Sequence, residues 1–290
     1  MRQVDEFFQE IPESPLFHYT GVDALLGIAN SSAIWASHVY YLNDSKEVLH
    51  ACDVLDRALG NPESHLGLNA RDQDFVAQFR TWSASFRRDK YCLFVFSLSE
   101  QSSLLSQWRS YTPYGRGVSL GFAPSLIKRL IDKNNLKIAK CVYKQYEQEL
   151  VLRSLLDKML TTFRREQPQP NPMANPESTC YYSYLERFRG DVLQVLSIIK
   201  HQAFEEEQEW RLVSQYFENY TVPEISFRAG ASMLVPYIKL KIGDERPAFE
   251  RVILGPSAHA DLSMTALSMF LSNSRLSNVT ENSWIPYREW

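Results

Sequence analysis

The sequence has few cysteines, and their spacing is typical neither of a metal site nor of a disulfide framework. The four cysteines are Cys52, Cys92, Cys141 and Cys180, with no Cys-x-x-Cys pair and no Cys/His pair at metal-binding spacing. Zinc sites and disulfide-stapled domains both need closer or regular spacing. We therefore predict no metal site and a chain that keeps its thiols reduced, as in the cytoplasm.

The sequence also lacks an excess of positive charge and a long apolar run. Acidic residues outnumber basic ones by 34 to 31, so no global positive field is available for binding nucleic acid without regard to its sequence. No stretch of about 18 apolar residues is present, and residues 1–15 lack the apolar core of a signal peptide. These absences predict a cytoplasmic protein with no membrane partner.

The sequence does contain enough apolar residues for one large domain. Of its 290 residues, 44% are hydrophobic and 13% are aromatic, which excludes disorder for most of the chain. Strand-like and helix-like patterns are mixed, which predicts an α+β fold. We interpret residues 16–145 and 204–290 as its core and residues 146–203 as a helical insertion. A loop over residues 167–178 with four prolines interrupts this insertion, because proline cannot continue a helix or a central strand.

The most unusual stretch is residues 204–213, FEEEQEWRLV. Carboxylates this close together raise one another's pKa values and require cationic or hydroxyl partners. The stretch is either a functional site or the solvated face of a helix ahead of a buried strand. Glu209 lies where the pattern turns apolar, so we expect its side chain to face the interior.

An inward-facing Glu209 leaves two hypotheses open. If it is one of several crowded like charges, Glu209→Gln should leave the melting temperature unchanged or raise it. If it is instead the buried partner of Arg211 or Arg109, the same change should unfold the protein, because it leaves a buried guanidinium without a compensating charge.

Other polar residues lie at the ends of predicted strands. His18 lies near the end of the first one, and Ser97 and Ser99 follow the apolar run over residues 91–96. A histidine in this position either points into a cleft or is hydrogen-bonded in the core. Arg109 follows on a short helix, where it could bind a diphosphate or a carboxylate or form a structural salt bridge.

A turn over residues 43–45 precedes the next predicted helix. Asp44 is placed to accept from the first free backbone N–H groups of that helix, and Glu47 lies three residues later. This spacing is typical of a capping box. We therefore interpret both residues as helix caps.

A series of short motifs follows in order along the chain: FHYT, YLNDSKE, FSLSEQSSLLSQWRSY with GRGVSLGF, AFEEEQEWRLV, LVPYIKL, VILGPS and SWIPYR. In this order the motifs resemble the bacterial domain-of-unknown-function 2971 family. The resemblance covers nearly the whole chain, from Leu16 to Arg288. That family name implies no chemistry of its own.

Three of these landmarks are similar, more distantly, to those of ADP-ribosyltransferases. They are His18 on the first strand, the strand that ends in Ser97-Leu98-Ser99, and the late pair Glu207 and Glu209. The resemblance implies a split β-sheet core and NAD as a substrate whose nicotinamide bond is cleaved. Cleavage passes through an oxocarbenium-like sugar, so a carboxylate near the ribose would stabilise the developing charge.

The resemblance also implies a role for each of these residues. Glu209 would be the catalytic carboxylate, Glu207 would orient the acceptor, and His18 would grip the adenosine ribose or a phosphate. Ser97 or Ser99 would brace the catalytic glutamate. The remaining residues assigned to NAD binding are Tyr19, Thr20, Trp108, Arg109 and Arg211, with Tyr19 and Trp108 as stacking surfaces.

Two classes of function remain open at this point. One is an NAD-dependent ADP-ribosyltransferase-like enzyme, or an NAD glycohydrolase, of a bacterial toxin or phage-defence type, with an unknown protein or nucleic-acid acceptor. The other is a non-catalytic nucleotide-binding sensor or an antitoxin-like interaction protein with a partner from a defence system. A metal-dependent nuclease ranks last, because no set of His and Asp ligands lies beside the glutamates.

Overall fold

The computed structural model describes residues 3–42, 46–112, 116–174, 176–230, 232–243, 248–277 and 279–285. Within these residues, ten strands form one sheet. The strands are β1 (Leu16–Gly21), β2 (Ala33–His38), β3 (Phe94–Ser99), β4 (Gly117–Phe122), β5 (Lys137–Lys140), β6 (Glu209–Val213), β7 (Ile225–Ala229), β8 (Leu234–Lys241), β9 (Val252–Leu254) and β10 (Thr280–Asn282). The α-helices are α1 (Val22–Ser31), α2 (Glu47–Gly60), α3 (Ala70–Ser83), α4 (Leu105–Tyr111), α5 (Pro124–Asn134), α6 (Gln145–Glu166), α7 (Tyr182–Leu185), α8 (Arg189–Leu196) and α9 (Ala260–Ser274).

The sheet is mixed, and its central strand β3 has neighbours on both edges. The order is β10-β9-β4-β1-β3-β2-β8-β7, with β6 paired to β3 and β5 paired to β6. The pairings are antiparallel apart from β9 with β10. This arrangement is compatible with the predicted α+β class.

Two strands share one edge of β3. Strand β6 pairs with β3 from Val95 to Ser99 and occupies the first edge. On the other edge, β1 pairs with β3 at Ser99, whereas β2 pairs with it at Val95 and Phe94. Between these points, Ser97 has no strand partner on that edge among the described residues. We call this gap between β1 and β2 the split.

Helices cover both faces of the sheet, because side chains alternate between the faces along each strand. On one face, α2, α3, α6 and α8 pack in a cluster that includes Val95 and Val213. On the other face, α1, α5 and α9 pack in a cluster that includes Phe96 and Leu212. The helices α6, α7 and α8, which lie within the predicted insertion, therefore pack on the sheet together with α2 and α3. No helix of the described chain is long and apolar enough to cross a membrane.

The strand predicted from the apolar run 91–96 is displaced along the chain. Strand β3 covers Phe94–Ser99, because the continuous ladder with β6 begins at Val95 and extends through Ser99. Cys92 forms only an isolated bridge, with Phe217. The two serines that were expected to follow the strand are therefore part of it, and both lie on the face that carries Val95.

Gly255 follows β9 at a point where Trp108 leaves no room for a side chain. A Cβ atom at Gly255 would lie 2.8 Å from Cζ3 of Trp108 and 3.1 Å from the carbonyl oxygen of Gly117. The Trp108 side chain is buried, so moving it aside would disturb the packing around it. We expect Gly255→Ala to lower the free energy of unfolding by about 1–3 kcal/mol, as measured by urea denaturation.

Gly27 in α1 provides the matched control for this substitution. No heavy atom lies within 4 Å of a Cβ atom built there, so alanine adds no clash and reduces the entropy lost on folding. Gly27→Ala should raise the free energy of unfolding by about 0.5–1 kcal/mol. A Gly255→Ala variant as stable as the wild type would contradict the packing described for Trp108.

Candidate functional site

The split opens into a cleft with a volume of about 1130 Å³. Residues of β1, α1, β2, β3, α4, β6 and β7 line it. A cleft of this size can hold most of a large nucleotide. The residues that line it and that were predicted from the sequence are His18, Tyr19, Thr20, Ser97, Ser99, Glu207, Glu209 and Arg211.

Five buried charged side chains lie together in this cleft. We call them the charged cluster: Glu47, Lys200, Glu207, Glu209 and Arg211, each at most 7% exposed. Arg211 pairs with two carboxylates, since its Nη2 lies 3.0 Å from Glu47 Oε2 and its Nε lies 2.7 Å from Glu209 Oε1. Lys200 Nζ donates to Glu207 and to Glu209. Three carboxylates thus face two cations, and one carboxylate is in excess.

The alternation of β6 explains why charged residues lie inside a buried strand. Glu209 and Arg211 are two residues apart and therefore point to the same face, whereas Trp210 and Leu212 enter the apolar cluster on the other face. On β3, Ser99 lies opposite Glu209, and Ser97 lies opposite Arg211. The polar face of β6 is thus matched by small polar residues of β3.

A left-handed residue connects the two glutamates. Gln208 has a φ of 41°, in a region that non-glycine residues rarely adopt. It ends the 3₁₀ helix Gln202–Glu207 and precedes β6, and Gln101 Nε2 donates to its side-chain oxygen over 2.6 Å. With this turn, Glu207 and Glu209 both reach Lys200.

Ser99 supports this turn through the backbone. Its hydroxyl donates to the carbonyl oxygen of Glu207 over 2.6 Å and accepts from the backbone N–H of Gln101 over 3.0 Å. The resemblance to ADP-ribosyltransferases implied that Ser97 or Ser99 would brace the catalytic glutamate. Ser99 does contact the glutamate pair, but at the backbone of Glu207 and not at a carboxylate.

His18 occupies the split itself. Its Nδ1 donates to the carbonyl oxygen of Ser97 over 2.9 Å. Ser97 lies at the split, where neither β1 nor β2 pairs with β3. The ring lies 4.3 Å from the ring of Phe96. Burial lowers the pKa of His18 to about 4, although the hydrogen bond to Ser97 raises it. The ring is therefore neutral at physiological pH, with its lone pair on Nε2.

The two glutamates differ in their protonation. Burial alone would raise the pKa of Glu209, but the charges of Arg211 and Lys200 outweigh burial and hold this pKa at about 2. For Glu207, burial is the larger influence and raises the pKa of the carboxyl, since Lys200 is the one cation in contact with it among the described residues. Glu209 is thus a fixed anion, whereas Glu207 is the carboxylate of the pair that protonates more readily.

Trp108 and Arg109 lie outside the cleft. Helix α4 presents Gln107, Ser110 and Tyr111 to it, so the two residues between Gln107 and Ser110 point elsewhere. Trp108 is buried against Phe17, Tyr19 and Ile253, and Arg109 is exposed. The structure therefore corrects the prediction that these two residues contact NAD.

Tyr19 and Arg211 line the cleft but are fully engaged within the protein. The hydroxyl of Tyr19 donates to the carbonyl oxygen of Gln101 over 2.6 Å and accepts from the N–H of Leu104. Arg211 uses Nε, Nη1 and Nη2 for Glu47, Glu209 and the carbonyl oxygen of Ser197. A guanidinium has five N–H donors, so Arg211 has none left for a cofactor. Its role here is to hold the glutamates.

The sequence interpretation missed Lys200 and misassigned Glu47. Helix α2 begins at Glu47, whose side chain pairs with Arg211 and does not close a capping box; Asp44 lies outside the described residues. Lys200 follows the apolar run VLSII, and a single lysine at the end of such a run was the available signal. Within the described ranges, no group of three or more His, Cys, Asp or Glu side chains is arranged to hold a metal ion.

The pairing with Arg211 decides between the two hypotheses for Glu209. Both oxygens of Glu209 accept from Arg211 or Lys200, so the amide of Glu209→Gln would turn an N–H group toward a cation. We expect this variant to lose about 3–5 kcal/mol of unfolding free energy. Urea denaturation at pH 7 measures the loss.

Glu207→Gln is the matched variant, because it removes the same charge from the same cluster. Glu207 contacts Lys200 with Oε2, and an amide oxygen can replace that acceptor. We expect a loss of about 1 kcal/mol or less. Equal losses in the two variants would show that crowding of like charges, and not the pairing with Arg211, determines the stability.

His18 makes the stability depend on pH. In the unfolded chain a histidine takes up a proton below pH 6.5, whereas His18 in the folded protein stays neutral down to about pH 4. Protonation then favours the unfolded chain, so this contribution is complete above pH 6.5 and is lost as the pH falls toward 4. His38, whose pKa burial also lowers to about 4, acts in the same direction.

We expect His18→Gln to reduce the loss of unfolding free energy between pH 7 and pH 4 by about 1–3 kcal/mol. Denaturation at a series of pH values measures both proteins. The raised pKa of Glu207 has the opposite effect, but it acts in both proteins and cancels in the comparison. Parallel curves for wild type and variant would contradict a neutral, partly buried His18.

Comparison with known proteins gives one match. Residues 107–212 match the model of a family described as protein of unknown function (DUF2971). This segment contains Lys200, Glu207, Glu209 and Arg211 of the charged cluster. Searches of curated proteins and of solved structures found no match, so the resemblance to ADP-ribosyltransferases stays a prediction. The family prediction is confirmed over residues 107–212, the segment that matches the DUF2971 model.

Proposed function

We propose that this protein is an NAD-cleaving enzyme of the ADP-ribosyltransferase type, with NAD bound as a substrate in the cleft. One observation carries the proposal. A first-strand histidine, a serine-bearing strand and a late pair of glutamates line one cleft at the point where the sheet splits. These are the parts that the resemblance implied, and they come from three distant segments of the chain.

The charges of the cleft suit the reaction. When the bond between nicotinamide and ribose breaks, nicotinamide leaves with the electron pair and the positive charge passes to the sugar. The charged cluster has one carboxylate in excess, and negative charge close to the sugar stabilises that positive charge. An acceptor then bonds to the sugar carbon and gives up a proton, which requires a base.

Glu207 is better placed than Glu209 to contact the substrate. Both oxygens of Glu209 are bound by cations. The Oε1 atom of Glu207 has no hydrogen-bond partner within the described part of the chain, while its Oε2 accepts from Lys200. Its raised pKa also suits a carboxylate that accepts the proton of the acceptor. We therefore assign the contact with the ribose to Glu207 and a positioning role to Glu209.

His18 adds a neutral acceptor within the split. With Nδ1–H donated to Ser97, its Nε2 can accept from a hydroxyl group, such as one of a ribose. In a cell, such an activity would suit a toxin or a phage-defence effector that modifies a protein or a nucleic acid.

A non-catalytic nucleotide-binding sensor or antitoxin-like protein is the second candidate. It is favoured by the extent to which the cluster is neutralised, since Glu209 is bound by two cations and Arg211 uses all its donors within the protein. The two candidates differ in turnover: a sensor binds NAD without releasing nicotinamide.

The test follows NAD labelled in its adenosine half, incubated with the protein and a cell extract. We expect nicotinamide release and transfer of the label to an acceptor or to water. Glu207→Gln should lower the rate roughly a hundredfold, which corresponds to about 3 kcal/mol of lost transition-state stabilisation. Glu206→Gln is the matched control, because Glu206 is an exposed neighbour that does not line the cleft.

Two results would contradict the proposal. A folded Glu207→Gln variant that cleaves NAD at the wild-type rate would remove Glu207 from the reaction. A wild-type protein that binds NAD and releases no nicotinamide would support the sensor.

A further inference from the structure

Arg228 on β7 lines the cleft on the β2 side of the split. Its Nη2 donates to the hydroxyl of Ser37 over 3.3 Å, and its Nε is buried with no hydrogen-bond acceptor among the described residues. A neutral hydroxyl does not compensate the charge of a guanidinium. Arg228 therefore retains both charge and donors for an anionic group.

The two arginines of the cleft thus differ in what they can bind. Arg211 is fully buried, and its donors are used by two carboxylates and a carbonyl. Arg228 is partly exposed, and no carboxylate within the described residues pairs with it. A partly exposed guanidinium that is not paired with a carboxylate can bind a phosphate group through two parallel hydrogen bonds.

An aromatic surface lies beside Arg228. Trp35 lines the cleft with 43% of its surface exposed, and its ring lies 4.5 Å from that of Tyr237 at an angle of 30°. Trp35 and Ser37 are two residues apart on β2, so they share a face of the sheet with Tyr237, which lies opposite Ser37. One side of the indole rests on Tyr237, and the other is available for a planar group.

The charges of the cleft are separated. The charged cluster has a carboxylate in excess, whereas Arg228 supplies positive charge next to Trp35. The other charged residues that line the cleft are Asp23 and Lys46. A ligand that matches this distribution has a cationic end, an anionic middle and an aromatic ring.

We propose that Trp35, Ser37 and Arg228 form a subsite for the diphosphate and base of a nucleotide. Arg228 binds the phosphate oxygens, Ser37 orients the guanidinium, and the base stacks on Trp35. The choice of NAD as the complete ligand rests on the proposed function, because its nicotinamide riboside end would then face the charged cluster. The nucleotide subsite itself does not depend on cleavage.

Calorimetric titration with ADP and with inorganic pyrophosphate tests the subsite. We expect the wild type to bind both, with an affinity that falls as salt is added. Arg228→Gln should weaken both ligands at least about tenfold, as the loss of a charge-assisted pair does. Trp35→Leu should weaken ADP and leave pyrophosphate unchanged, since pyrophosphate has no base to stack.

Two further variants keep the test specific. Arg153→Gln removes one positive charge from the exposed side of α6, away from the cleft, and should change neither affinity. Arg228→Lys keeps the charge and loses the planar fork, so it should weaken both ligands less than Arg228→Gln. If the Arg228→Gln variant does not fold, the affinities of Arg228→Lys for ADP and pyrophosphate still test the subsite.

The outcomes separate this proposal from the enzymatic one. Failure of the wild type to bind ADP at millimolar concentration, or an Arg228→Gln variant with wild-type affinity for ADP and pyrophosphate, overturns the subsite whether or not NAD is cleaved. If ADP binding depends on Arg228 and no nicotinamide is released, the subsite stands and the proposed cleavage fails. If NAD is cleaved and Arg228→Gln raises its KM at unchanged kcat, both stand.

Discussion

The burial of Arg211 is the constraint on which the rest of the site depends. A buried guanidinium is tolerated only when its donors are satisfied and its charge is balanced. Arg211 meets this condition with Glu47 at the start of α2, Glu209 on its own strand and the carbonyl oxygen of Ser197 after α8. One side chain thereby fixes the start of α2, the position of the chain after α8 and the register of β6. A slip of β6 by one residue would turn both charged residues into the apolar cluster on the other face.

The same constraint shapes the chemistry of the cleft. Two cations hold three buried carboxylates, and removing charges from water costs free energy that the pairing must offset. Glu209 pairs with both Arg211 and Lys200, whereas Glu207 pairs with Lys200 and has a raised pKa. The left-handed Gln208 and the hydrogen bond from Ser99 to the backbone of Glu207 keep this less-paired carboxylate at the edge of the cleft. Backbone strain of this kind persists where the surrounding contacts determine it.

Local patterns in the sequence predicted part of this arrangement. The change from charged to apolar residues at Glu209 correctly placed β6 and turned Glu209 inward, because alternation along a strand is a local property. The assignment of Trp108 to the cleft was wrong. Helix α4 has only seven residues, and so short a sequence does not show which of its side chains face the cleft. The ion pair between Glu47 and Arg211 joins residues that are 164 positions apart, so no local sequence pattern could have predicted it. The split could not be predicted from local patterns either, because it arises where two different strands, β1 and β2, pair with one edge of β3.

The split also explains why a nearly neutral chain can offer a strongly polar cleft. An unpaired edge in the middle of a sheet exposes backbone groups that must be satisfied, and His18 satisfies one of them at Ser97. The gap thus lets the polar face of β3 and β6 reach the cleft together with the face of β2 that carries Trp35 and Ser37. The net charge of −3 therefore says little about ligands. Ligands are selected by where the charges lie in the cleft: a carboxylate is in excess in the charged cluster beside β6, and an arginine lies near an aromatic ring at β2.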